Sequence, residues 1–284
     1  MTPLRLGVIG AGQVWRRLYQ PALRRTNAFE IAAIADPATN GAATFETPER
    51  MLETSTFDCV AVLSPPSLHS EHVLRCLERN LPVLVEKPPA LATTELDAWV
   101  AAGGSSLVRP AFARRYWTAY QHAGRNGHEW KLDLQTSPAS WEAVSVDPVA
   151  QDLLPHAIDL ARWLSGEEIT SLRVLARADD HIRAEAALSG GGTFSWNVAH
   201  GTAYREELRL DGRRLKTSES LTDRLRQRLL RQPPRDVAAI TAMLNDWALA
   251  LAGAHPTRLP TLADARANVD AIERLLAAPI EEAA

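Results

Sequence analysis

Short, continuously apolar segments alternate with helix-like segments over the first hundred or so residues, and this alternation most constrains the fold. "LRLGVIG", "FEIAAIAD", "FDCVAVLS" and "LPVLVEK" read as buried strands, and "SSLVRPA" as a sixth strand of the same sheet. Between them, "QVWRRLYQPALRRT" has helical spacing, with Val14, Leu18 and Leu23 on one side; "SLHSEHVLRCLERN" and "TTELDAWVAAGG" also read as helices. Strands that are apolar on both faces and separated by helices form a parallel sheet covered on both sides. Only seven residues separate Asp36 from Thr44, so the helix usual after a second strand is expected to be largely missing.

After roughly Arg115 the pattern changes. "EWKLDLQTS", "ITSLRVLARA", "IRAEAAL", "TFSWNVAH" and "EELRLDG" alternate more loosely, as in an antiparallel sheet with one open face. "AQDLLPHAIDLARWLSG" reads as one helix, and "RDVAAITAMLNDWALALAG" and "LADARANVDAIERLLAA" as two more that close the chain. The expected fold class is α/β: a doubly wound parallel sheet over residues 1–117, then an α/β domain with an open, mostly antiparallel sheet over 118–284, whose last helices pack back on the first domain.

Composition narrows the function classes. The 284 residues are 46% apolar and 23% charged, the balance of an ordinary globular protein. A net charge of -3 provides no basic field for nucleic acid, and no apolar run reaches the ~20 residues of a membrane span. Cys59 and Cys76 lie in apolar stretches without metal-ligand spacing, which points to structural thiols in a reducing cytoplasm and to no metal site. "TDRLRQRLLRQPPR", with Arg224, Arg226, Arg228, Arg231 and Arg235, reads as a solvated basic helix face. The eight tryptophans are scattered and read mostly as packing residues.

Three stretches carry chemistry. "GVIGAGQVW" puts Gly10 and Gly12 between a strand and a helix, where a dinucleotide pyrophosphate meets a helix N-terminus. Asp36, at the end of the second strand, can accept hydrogen bonds from ribose hydroxyls and would repel a 2′-phosphate. No Lys or Arg follows it among Pro37, Ala38, Thr39 and Asn40, which favours NAD, with NADP as the alternative. The third glycine of the fingerprint is replaced by Trp15, either a packing substitution at the domain surface or a residue lining the cleft. "VLVEKPP" ends a strand in Glu86 and Lys87, and Pro88 biases Lys87 towards an extended or turn conformation. Finally, Asp152 and His156 are four apart in a helical stretch, on one face and about 6 Å apart along the axis. Asp159 and Trp163 continue that stripe; Leu153, Ala157, Leu160 and Leu164 form the neighbouring apolar one.

"GVIGAG", "LSPPSLH", "VLVEKPP" and "QDLLPHAIDLARWLSG", in this order, resemble the Gfo/Idh/MocA oxidoreductases. The resemblance implies a Rossmann domain followed by an open-sheet domain whose sheet face makes a homodimer or homotetramer. It implies a nicotinamide cofactor held by Gly10, Gly12, Gln13, Val14, Asp36, Ser64, Pro65, His69, Glu86 and Lys87. Lys87, Asp152 and His156 would be catalytic, with His156 as the acid/base; Arg115, Tyr116 and Asp159 would face the substrate. Leu154 departs from the glycine common between the aspartate and the histidine, and the carboxy-terminal sheet is short for the family. The implied activity is hydride transfer between nicotinamide and a secondary alcohol or carbonyl of a sugar, cyclitol or sugar derivative. Two alternatives stand beside it: a reductase of a non-sugar carbonyl or imine, and a catalytically silent cofactor-binding sensor.

Overall fold

The computed structural model describes residues 2–38, 43–123, 127–141, 147–215, 229 and 232–281. Thr39 and Asn40, and all of the arginine-rich stretch's arginines except Arg235, lie outside the described residues. The chain divides into two compact units. One comprises Met1–Tyr116 and Pro233–Val269, the other Trp117–Gln232 and Asp270–Ala284.

The first unit is built on five parallel strands: β1 (Leu4–Ile9), β2 (Phe29–Ala35), β3 (Cys59–Val62), β4 (Val83–Val85) and β5 (Val108–Pro110). Their order in the sheet is β2-β1-β3-β4-β5. The segment "SSLVRPA", read as a sixth strand, is β5, the fifth in chain order among the described residues. Between β2 and β3, Phe45 makes a single bridge to Ala35, and Thr44 and Phe45 each donate a backbone bond to the Ile34 carbonyl. So short a segment beyond Asp36 edges the sheet without extending it. The expected loss of the following helix is also corrected: Pro48–Thr54 is helical, with Thr47 as its cap accepting from the Arg50 N–H and proline in its first turn.

The strands are apolar throughout because both faces are covered. Val60, Val62, Val83 and Val85 are fully buried and pack with Val73, Cys76 and Leu77 of helix His69–Leu77 and with Leu96 and Trp99 of helix Thr93–Ala101. Burial of the thiols pushes Cys76 up to about 12 and Cys59 higher still, so both stay protonated packing groups.

The second unit carries a six-stranded sheet in the order β11-β10-β6-β9-β8-β7, formed by β6 (Glu129–Thr136), β7 (Ile169–Ala178), β8 (His181–Leu188), β9 (Thr193–His200), β10 (Arg205–Leu210) and β11 (Arg213–Leu215). All pairings are antiparallel except β6 with β9. Period-two alternation separates its faces. Trp130, Leu132, Leu134, Ile182, Ala184, Phe194, Trp196 and Val198 are buried on one side. Asp133, Asn197 and His181 form a hydrogen-bonded row across three strands on the other. Six of the eight tryptophans are buried, as their scatter suggested.

The expected long helix is two. Val149–Asp152 ends at Leu153, and Leu154–Ser165 begins there. Pro155 has no N–H to offer the carbonyl of Gln151, so the helical ladder is interrupted between the two aspartate and histidine positions. The apolar stripe Leu153, Ala157, Leu160 and Leu164 is buried, as its spacing requires. No helix among the described residues is long and apolar enough to cross a membrane.

Packing density gives a direct check. Trp99 is completely buried against the first sheet, whereas its neighbour Val100 is 47% exposed. Trp99→Ala should cost about 3–5 kcal/mol and Val100→Ala about 0.5 kcal/mol or less in urea unfolding.

Candidate cofactor and active site

The carboxyl ends of the parallel strands line up. Ala35, Ile9, Val62, Val85 and Pro110 are in register across the sheet. The next residue on each strand therefore forms one row: Asp36, Gly10, Leu63, Glu86, Ala111. At a strand spacing of ~4.8 Å, Asp36 and Glu86 stand about 14 Å apart along this edge. The chain leaves β1 for β2 on one side and places β3 on the other, so the crevice beside β1 is the switch point at which such sheets bind ligands.

Gly10 sits in that crevice with φ of +99°, and a Cβ there would lie 2.7 Å from the Leu63 carbonyl and the Ser64 nitrogen. Only glycine lets β1 turn so close to β3. At Gly12 the reverse holds: a Cβ would meet nothing within 4 Å. That open space precedes the helical turn at Gln13 and Val14 and is the cradle a pyrophosphate needs. Asp36 points back to it. Its carboxylate accepts from the Ala11 N–H at 2.6 Å and from the Ala38 N–H at 2.8 Å, which fixes the acid beside the glycine turn.

Trp15 is 1% exposed, so it is neither a surface substitution nor an exposed lining residue. The backbone from Trp15 to Tyr19 is π-helical, continuing into helix Gln20–Leu23. A π turn is wider than an α turn and accommodates an indole where the sheet asks for a small side chain. The same turn carries Tyr19, which sequence reasoning missed. Tyr19 is fully buried, and its hydroxyl donates to Glu86 Oε1 at 2.7 Å. Its position four after Trp15, on the same helical face, was the available signal.

Glu86 is thus not open to solvent at the strand end. Its second oxygen accepts the Lys87 N–H at 2.9 Å. Burial raises the Glu86 pKa, and the bonds from Tyr19 and Lys87 and the Lys87 charge only partly oppose that; burial and Glu86 together raise Tyr19 well above its ordinary value.

Ser64 and His69 were expected to contact cofactor, but their polar atoms are engaged internally. The Ser64 hydroxyl lies 2.9 Å from His72 Nδ1. His69 is 1% exposed, with Nδ1 2.8 Å from the Pro88 carbonyl oxygen and Nε2 2.8 Å from the Ser64 carbonyl oxygen. Pro65 is exposed and precedes the short turn Pro66–Leu68. Arg115 and Tyr116 are likewise buried in their own unit. Arg115 pairs with Asp264 at 3.2 Å, and the Arg258 guanidinium lies 4.8 Å from the Tyr116 ring centroid.

In the second unit, Asp152 is paired with a residue the sequence reading missed. His200 Nε2 lies 3.1 Å from Asp152 Oδ2. His200 ends β9 with the parity of Trp196 and Val198, the face that buries the apolar residues; counting by twos along "TFSWNVAH" was the signal for it. His156 is half-buried, whereas Asp159 is 1% exposed and lies within the packed side of its helix.

The parallel sheet, the glycine turn and the strand-end acid define a Rossmann-type nucleotide-binding unit. Residues 4–106 match the model of the Gfo/Idh/MocA oxidoreductase family with an NAD-binding Rossmann fold. The chain is 30% identical to the rhizopine catabolism protein MocA of Rhizobium meliloti over 196 residues, 61% of each chain. It is 31% identical to inositol 2-dehydrogenase 4 of Saccharopolyspora erythraea over 223 residues, 70% of this chain and 64% of that protein. The chain thus spans about three fifths of the length of these curated relatives. Among solved structures, its fold is similar to that of a myo-inositol dehydrogenase from Lactobacillus casei in complex with NAD(H) and myo-inositol. The TM-score is 0.77 at 17% identity, covering 96% of this chain and 93% of that one.

The buried carboxyl gives a pH signature. Because Glu86 holds its proton more tightly folded than unfolded, the folded state binds more protons above pH 4.5, and stability falls as pH rises towards the folded pKa. Glu86→Gln removes this loss. The difference in urea midpoint between the variant and the wild type should therefore shift in favour of the variant as pH rises from 4.5; a pH-independent difference would contradict the assignment.

Proposed function

We propose that this chain is an NAD-dependent oxidoreductase that moves a hydride between nicotinamide and a secondary alcohol or carbonyl carbon of a cyclitol or related sugar. One observation carries the reading: the open space at Gly12 with Asp36 fixed beside it, in the same row of strand ends that leads to Glu86 and Lys87. The residues present fit the cofactor. The glycine turn leaves room for a pyrophosphate at N–H groups of Gln13 and Val14, and Asp36 offers acceptors to ribose hydroxyls while disfavouring a 2′-phosphate. When bound, nicotinamide supplies the hydride acceptor or donor.

The chain's own residues supply the rest. The Lys87 ammonium donates to the reacting oxygen and stabilises negative charge as it develops there. His156 takes the hydroxyl proton during oxidation and returns it during reduction, the general acid–base role that histidine fills most often. Asp152, held by His200 from β9, fixes the acid–base end of the helix pair; it is a positioning carboxylate and an acceptor for a substrate hydroxyl. The names of the relatives support a polyol substrate: MocA of rhizopine catabolism and inositol 2-dehydrogenase. The polar row Asp133, Asn197 and His181 on the open side of the second sheet supports self-association into a homodimer or homotetramer through that face. A reducing cytoplasm suits two free, buried thiols. Sedimentation as a monomer at working concentration would remove the oligomer from the proposal.

The decisive experiment combines binding and turnover. Tryptophan quenching should report NADH bound more tightly than NADPH, and Gly12→Val should abolish that binding without lowering the melting temperature. On a panel of inositols and sugars, His156→Ala should lower kcat by about 10²–10⁴-fold with NADH affinity retained, and Lys87→Ala by at least as much. Tight NADH binding with no turnover across the panel would instead favour a cofactor-binding sensor.

A further inference from the structure

We propose that His69 is a positioning residue for Lys87, acting through a hydrogen bond from its Nδ1–H to the Pro88 carbonyl. The inference rests on the assigned role of Lys87 and concerns how the chain holds that lysine still.

The turn after β4 is poor in donors. Pro88 and Pro89 have no N–H, so the two peptide units after Lys87 can be tied to the protein only through their carbonyls. On the other side of Lys87, its own N–H is taken by Glu86 Oε2. The Lys87 Cα is therefore bracketed by a bond at its nitrogen and by whatever holds the carbonyl of Pro88. His69 Nδ1 is 2.8 Å from that oxygen. The imidazole is itself rigid: it opens helix His69–Leu77, whose Val73, Cys76 and Leu77 are buried in the core. Its second nitrogen lies 2.8 Å from the carbonyl of Ser64, just past β3. The ring is a strut between the ends of two adjacent strands.

Both partners of the ring are acceptors only, so a neutral imidazole can donate to one of them. Burial lowers the His69 pKa; the two carbonyls oppose this, and the neighbouring His72 and Lys87 add to it. Burial thus favours the neutral ring, which has a single proton to place. The donor-poor turn makes the Pro88 carbonyl the anchor through which His69 acts on the Lys87 backbone.

Two amide substitutions separate the two contacts. Asparagine can place its side-chain nitrogen near the position of Nδ1, glutamine near that of Nε2. His69→Asn should keep kcat, whereas His69→Gln and His69→Ala should lower it about 10–100-fold, the cost of a slightly misplaced catalytic group, with NADH affinity unchanged. A readout independent of turnover exists because the chain has only three lysines, Lys87, Lys131 and Lys216. After reductive methylation with a carbon-13 label, the Lys87 resonance, assigned by its loss in Lys87→Arg, should move towards that of a free lysine in His69→Gln and His69→Ala and stay in place in His69→Asn. Glutamine preserving and asparagine losing both signals, or His69→Ala changing neither, would overturn the proposal. So would equal losses in all three variants, which indicate a purely structural residue. If Lys87→Ala leaves turnover intact, the role of Lys87 fails instead, and the resonance still reports whether His69 holds it.

Discussion

The buried carboxylate of Glu86 is the constraint on which the first unit's site depends. A carboxyl group removed from water is costly unless its oxygens are bonded. Here each oxygen has one donor, the Tyr19 hydroxyl and the Lys87 N–H. The first bond brings the helix after the glycine turn to the end of β4. The second sets the backbone of the lysine. Trp15 belongs to the same arrangement, since the π-helical stretch that houses it is the stretch that delivers Tyr19. Glycine turn, helix and strand end are thereby one mechanically linked assembly, and the departure of Trp15 from a small residue is matched by a change in helix type.

Much of this unit was legible because its signals are local. A strand followed by two glycines, an acid ending the next strand and a lysine between a strand and two prolines are each contained within a few residues. Their positions in the row of strand ends follow from parallel register alone. What was not legible depended on pairing. "LSPPSLH" identifies Ser64 and His69 but not that both ring nitrogens of His69 turn inward to carbonyls. Arg115 and Tyr116 read as polar groups available to a ligand, yet Asp264 and Arg258, more than 140 positions away, cover them. The short helix Pro48–Thr54 was misjudged because spacing after Asp36 counts residues and does not say which backbone groups they bond.

The second unit follows a different logic. Its sheet has one apolar side, and its chemistry-bearing residues come from a helix pair and a strand end brought together by burial. Asp152 and His200 are 48 positions apart. Pro155 separates Asp152 from His156 by a helix break that a reading of helical spacing passes over. The pairing of Asp152 with His200 gives the carboxylate a fixed direction independent of the helix that carries His156, so the two residues need not be held by one continuous ladder.

The two units also differ in how narrowly their residues are specified. The family model ends at residue 106, just before β5, while the fold likeness extends over 96% of the chain. In the first unit, the strand-end turns are specified by backbone: positive φ at Gly10, an open space at Gly12, and missing donors at Pro88 and Pro89. Few other residues can meet such demands, so they are recognisable words in the sequence. In the second unit, a carboxylate can be oriented by an imidazole from any strand end that reaches it, and a buried face can be filled by many apolar combinations. Many residue combinations can therefore meet the same arrangement.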